Sequence, residues 1–234
     1  PHWRPLAGEL AAFSGNADLG LHFNLTSGAP LAPMPILAPG GSLPKLGGLS
    51  RLALGSAAAR HEIAAELARQ LDAFEDALGR APDFVDGHQH VHVLPGVRRA
   101  VLDAIAARYP RGSVYLRDPA DSVTAIRARG VAVGKALVIA GLASGLRPAA
   151  TRRGIPLNHG FSGVSPFDPT RDFAADLPRF LKRPGPAHLV RPGFIDDELR
   201  ALDPVIGSRP VEHAALLAFA PPPGLRLARF RELG

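Results

Sequence analysis

Apolar positions along this chain follow two alternating rhythms. Over 57–78 the stretch AAARHEIAAELARQLDAFEDAL carries Ile63, Leu67, Leu71, Phe74 and Leu78 on one stripe at helical spacing. That predicts an amphipathic helix over 57–78, with Gly79 as its C-terminal stop. Short β-like runs stand on either side: DLGLHFNLT (18–26), DFVDGHQHVHVLP (83–95) and SVYLRDP (113–119). Later runs, LNHGFSGV (157–164) and PAHLVRPGF (186–194), read the same way. Helices are expected over about 96–108, 136–146, 173–183 and 209–219, and LRLARF closes the chain.

Strands alternating with helices argue for an α/β fold with a parallel sheet, open or closed into a barrel. His22, His88, Arg117, His159 and Arg191 fall toward the C-terminal ends of the expected strands. On parallel α/β folds that is where active sites sit. The Pro- and Gly-rich segment 27–48 hangs from the first of these strands and reads equally as a lid, a substrate wall or a plain surface loop.

Composition narrows the picture. A chain of 234 residues at 46% hydrophobic can bury one substantial core, so a single domain over 1–234 is expected. The absence of cysteine excludes disulfides, thiolate zinc sites and a cysteine nucleophile. The net charge is +6, but the arginines are scattered and aromatics make up only 6%, so no nucleic-acid partner is expected. Val131–Leu146 is the most apolar run; with Lys135 inside it and 16 residues in length it falls short of a membrane span. It reads as a buried helix, or as a surface that touches lipid or an apolar substrate. With no signal peptide visible, the expected location is cytoplasmic, with room for peripheral membrane contact.

The candidate chemistry lies in DGHQHVHVLP, where Asp86, His88, His90 and His92 recur at alternate positions. In an extended strand all four project from one face, with neighbouring Cβ atoms about 6.6 Å apart. Zinc–imidazole bonds are about 2.0–2.1 Å, so two adjacent rings can lean onto one ion but three cannot comfortably do so. Three histidines on one face are hard to satisfy as packing alone, because each needs a polar partner. His22 in GLHFNLT is a second candidate, flanked by apolar Leu21 and Phe23.

GLHFNLTSGAPL and DFVDGHQHVHVLPGVR together resemble the YdjC-like carbohydrate deacetylases, and more narrowly the branch associated with hopanoid biosynthesis. FSGVSPFDPTRDFAADLPRFL and DDELRALDPVIGSRPVEHAALLA fit the same branch. The resemblance implies an irregular TIM-like (β/α) barrel that removes the acetyl group from an N-acetylglucosamine-type sugar or glycolipid with a divalent metal ion, zinc or magnesium. It implies His22 and His88 as metal ligands, His90, His92 and Arg117 in pocket-lining or catalytic roles, and Arg117, Phe161 and Arg191 as substrate contacts. Two positions differ from the family pattern. No Asp-Asp-x-Gly motif occurs, so the chain reads as a member lacking its first strand and helix. Arg191 in LVRPGF stands where the family has His, and an arginine does not exchange protons near neutral pH. Two other readings stay open: a barrel remnant without activity, and an amidohydrolase-type metal site using His88 and His90.

Overall fold

A computed structural model describes residues 4–182, 187–188, 192–203, 205–225 and 228–232. The chain divides into two compact units. The first comprises Pro1–Asp118, Leu142–Asn158 and Arg229–Gly234; the second comprises Pro119–Gly141 and His159–Ala228.

In the first unit a short helix, α1 (Ala7–Ala12), precedes strand β1 (Gly20–Phe23). Helices α2 (Leu46–Gly55) and α3 (Ala57–Leu78) follow, then β2 (Phe84–Gly87), a 3-10 segment His88–Val93, α4 (Arg98–Arg108) and β3 (Tyr115–Leu116). The three strands form one parallel sheet in the order β1-β2-β3. Leu116 also bridges in parallel to Leu157, after helix α7 (Leu146–Arg153). The helix expected over 57–78 forms with those bounds. Ser56 caps its first turn by accepting from Ala59 N, and Gly79 ends it in the left-handed region at φ 65°. Its stripe of Ile63, Leu67, Leu71 and Phe74 is buried, as helical periodicity requires.

The second unit holds α5 (Val123–Arg129), β4 (Phe161–Ser162), α8 (Phe173–Phe180), β5 (Ala187–His188), α9 (Asp197–Leu202) and α10 (Ser208–Leu217). Helix α6 (Val133–Ala143) begins in it. Strands β4 and β5 pair in parallel as a separate two-stranded sheet. Its cores gather Ile126, Ala136, Ile139, Phe161 and Val164, and Val131, Phe173, Leu177 and Phe180. The 131–146 run is therefore partly core. It breaks between α6 and α7, and no helix among the described residues is long and apolar enough to cross a membrane.

The expected TIM-like barrel is only partly matched. The α/β alternation and the parallel pairing are present, but among the described residues neither sheet closes. The strands in them are two to four residues long. The long histidine strand also differs from expectation: extended backbone stops at Gly87 and the chain turns at His88.

Candidate active site

The site grows from the register of β1 on β2. His22 lies opposite Asp86 in the parallel ladder, so their side chains leave the same face side by side. His22 Nδ1 reaches Asp86 Oδ1 at 2.6 Å, and the other carboxylate oxygen accepts from Arg117 Nε at 2.8 Å. Asp86 is 5% exposed and Arg117 is 7% exposed, whereas the His22 side chain is 54% exposed. Burial alone would raise the Asp86 pKa, yet the His22 hydrogen bond and the Arg117 charge hold it well below the usual carboxylate range. Asp86 is therefore an anion that carries a cation on one side and an imidazole on the other.

Beyond Gly87 the backbone folds through left-handed conformations at Gln89 (φ 51°) and His90 (φ 60°). The four residues expected on one face are sent in different directions by that turn. His88 meets His22 edge to face, with ring centroids 5.5 Å apart. His90 turns back to Arg117, its Nδ1 3.2 Å from Nη1. His92 is 0% exposed, and its Nε2 donates to the Arg117 carbonyl at 2.8 Å. Burial, reinforced by the nearby Arg117 charge, pushes the His92 pKa down to about 3, so its ring is neutral. Among the described residues its Nδ1 has no hydrogen-bond partner. Glycine at 87 is needed for this packing: a Cβ there would stand 2.7 Å from His92 Nδ1 and 2.9 Å from its backbone nitrogen.

The turn that ends β1 is held from α3. Gln70 accepts from Asn24 N at 3.1 Å and donates to Asn24 O at 2.8 Å, replacing a neighbouring strand. Asn24 Oδ1 accepts from the Thr26 and Ser27 amides, closing an Asx turn that points the chain away immediately after the His22 strand.

The expected site residues thus separate. His22, His88, His90, His92 and Arg117 lie together in the first unit, where Arg117 spends its donors on Asp86, His90 and the Gly87 carbonyl. That fork is buried among these partners. His92 likewise serves as a buried support. Phe161 is 1% exposed in the core of the second unit, so its side chain packs and does not line an open surface. Arg191 lies outside the described residues. Asp86 and Gln70, absent from the expected ligand and catalytic set, hold the others in place. The strand alignment His22–Asp86 is a long-range fact that alternation within DGHQHVH does not contain.

Could these residues hold a divalent ion? Two imidazoles converge, and the carboxylate behind His22 is the arrangement that orients a metal-binding histidine. Both Asp86 oxygens already have partners. Among the described residues no group of three or more His, Asp or Glu side chains is placed to bind one ion. The donor set therefore fits two ligands of a shell, not a whole one.

The model of the YdjC-like protein family matches residues 1–220. The chain belongs to the YdjC-like family. Within this YdjC-like chain, a stretch of 108 residues (44% of the chain) is 43% identical to a mouse carbohydrate deacetylase, covering 34% of that protein. A stretch of 99 residues (42% of the chain) is 42% identical to a chitooligosaccharide deacetylase from Enterobacter sp. strain 638, covering 37% of it. The chain thus spans about a third of the length of these relatives. A crystal structure from Enterococcus faecalis V583, of a protein named for cellobiose-phosphate cleavage, superposes with a TM-score of 0.62 at 16% identity. That likeness covers 92% of this chain and 76% of the other, and it concerns the fold.

Proposed function

We propose that this chain carries the core of a carbohydrate deacetylase that hydrolyses the N-acetyl group of an N-acetylglucosamine-type sugar, with a divalent metal ion held in part by His22 and His88. The observation that carries the reading is the exposed His22, anchored through Nδ1 by a buried, ionised Asp86 and facing His88, in a chain whose relatives are carbohydrate deacetylases. A bound divalent ion would supply Lewis acidity for the amide carbonyl and a lowered water pKa. Two imidazoles leave the shell open to further ligands, and carboxylate oxygens suit either zinc or magnesium.

The chain's own residues supply orientation and hydrogen bonds. Asp86 fixes the His22 ring, and Arg117 keeps Asp86 ionised and immobile. His92 stays neutral and out of solvent, so it supports Arg117 and does not titrate with substrate. His90, half-buried at the turn, can donate a hydrogen bond to the departing sugar nitrogen, which takes its proton from the attacking water as the water oxygen bonds to the acetyl carbon and the C–N bond breaks.

Chitooligosaccharides are the first substrate to test. An N-acetylglucosaminyl hopanoid glycolipid is the second reading, favoured by the exposed Val138 and Leu142 on α6, which also offer a point of peripheral membrane contact. The whole protein that carries this stretch is expected to release acetate from one of these, and to stop when the metal is chelated. No acetate from any N-acetylglucosaminyl substrate, with zinc or magnesium supplied, would defeat the proposal. The ratio of rates on chitobiose and on the glycolipid decides between the two substrates.

A further inference from the structure

We infer that Arg117 is a positioning residue that sets the tautomers of His22 and His90 in opposite senses, so that His22 presents a lone pair outward and His90 presents a proton. The assignment follows from what each partner can and cannot do. A guanidinium has five N–H donors, stays charged at all working pH values, and accepts nothing. His90 Nδ1, 3.2 Å from Arg117 Nη1, must therefore be the acceptor, and the ring proton of His90 sits on Nε2. A doubly protonated His90 would set two donors against each other there.

The other arm runs through Asp86. Arg117 Nε donates to Oδ2 at 2.8 Å, and the carboxylate, as an anion, can only accept from His22 Nδ1 at 2.6 Å. The proton of neutral His22 is thereby held on Nδ1, and Nε2 keeps its lone pair. Side-chain exposures of 8% for both Arg117 and Asp86 leave little water to exchange these bonds. The fork itself is tied down: the Arg117 carbonyl accepts from His92 Nε2 at 2.8 Å, and Arg117 N donates to Val85 O at 3.1 Å. One cation on β3 thus dictates the protonation pattern of two rings that come from β1 and from the turn after β2.

The pattern suits amide hydrolysis, in which a lone pair can hold an electrophilic cation and a neutral ring N–H can hydrogen-bond the leaving nitrogen while the attacking water supplies its proton. That use rests on the deacetylase reading; the tautomers themselves do not.

The test is long-range 1H–15N correlation on the metal-free, 15N-labelled chain at pH 7.5. His22 should show the Nδ1–H form and His90 the Nε2–H form. In Asp86→Asn the amide oxygen should stay with Arg117 Nε, turning the NH2 toward His22. His22 should then invert to Nε2–H while His90 keeps its form. In Arg117→Lys, which keeps the charge and loses the fork, His90 should become a mixture while His22 still donates to Asp86. Zinc titration should show Asp86→Asn binding at least about tenfold more weakly, the usual scale for loss of a carboxylate behind a metal-binding histidine. Nε2–H on wild-type His22, an Asp86→Asn spectrum without inversion, or an unchanged His90 in Arg117→Lys would each overturn the assignment. The expected tautomers in a chain that binds no zinc would keep the assignment and sink the metal reading. Zinc binding with the wrong tautomers would do the reverse.

Discussion

At the scale of single residues, the site is made by position in the turn more than by residue type. Three histidines spaced two apart look equivalent in the sequence, yet one faces His22, one faces Arg117 and one is buried. Their removal should therefore differ in kind. His88→Ala is expected to abolish zinc binding in calorimetry, whereas His92→Ala should retain most of the bound metal and lower the melting temperature instead. Equal loss of metal in both variants would contradict the assignment. The turn that separates them holds two consecutive non-glycine residues in the left-handed region, a conformation that costs side-chain-bearing residues on the order of 1 kcal/mol or more each. Gln89 is exposed, so Gln89→Gly should relieve that strain and stabilise the chain by about 0.5–1 kcal/mol in urea unfolding. A destabilised variant would show that the Gln89 side chain contributes contacts that outweigh the strain.

At the scale of elements, α3 does more than cover the sheet. Its apolar stripe was legible from period 3.6 alone, and its cap and stop residues were legible too. Its polar work was not. Glu66 is 0% exposed within the helix, where it accepts from Leu31 N at 3.0 Å, Arg69 Nε at 2.9 Å and Gln70 Nε2 at 2.9 Å. Glu62 accepts from the amides of Ile36 and Leu37 at 2.9 and 2.8 Å. Together with buried Met34, Leu37, Ala38 and Leu43, these bonds fasten the 27–48 segment onto α3. The segment thus forms a wall anchored to α3. Glu66→Ala should leave the half-buried Arg69 and the Leu31 amide without their acceptor, costing about 2 kcal/mol. Hydrogen exchange at the Leu31 amide should speed up in the same variant; unchanged protection there would mean the wall is held by its apolar residues alone. A charged residue on the core side of a helix reads as an interruption in a sequence, because its partners come from a loop 25–35 positions away.

At the scale of the whole molecule, the buried polar cluster ties stability to pH. Asp86 and His92 both have pKa values depressed by folding, His92 from 6.5 to about 3. The unfolded chain therefore binds more protons than the folded one below about pH 6.5. Their stabilisation is complete above that pH and is lost as pH falls, first through His92 and, below the ordinary carboxylate range, through Asp86. One differential proton corresponds to about 1.4 kcal/mol per pH unit. Urea unfolding at pH 7, 6 and 5 should show that decline in the wild type and a flatter profile in His92→Gln; a flat wild-type profile would contradict the buried neutral ring. Sequence by itself determined the α/β alternation, the 57–78 helix with its ends, the absence of any thiol chemistry, and the family resemblance carried by GLHFNLT and DGHQHVH. Those properties depend on local periodicity, on composition and on residue identity at short spacing. Only the tertiary structure decided that the histidine strand stops at Gly87, that His22 stands opposite Asp86, that Arg117 is buried, and that Phe161 is core. The pairing of His22 with Asp86 and of Asp86 with Arg117 depends on parallel strands whose residues lie more than 25 positions apart. Register settles when such segments pair with their apolar positions on the same face, and no short window of the chain holds both partners.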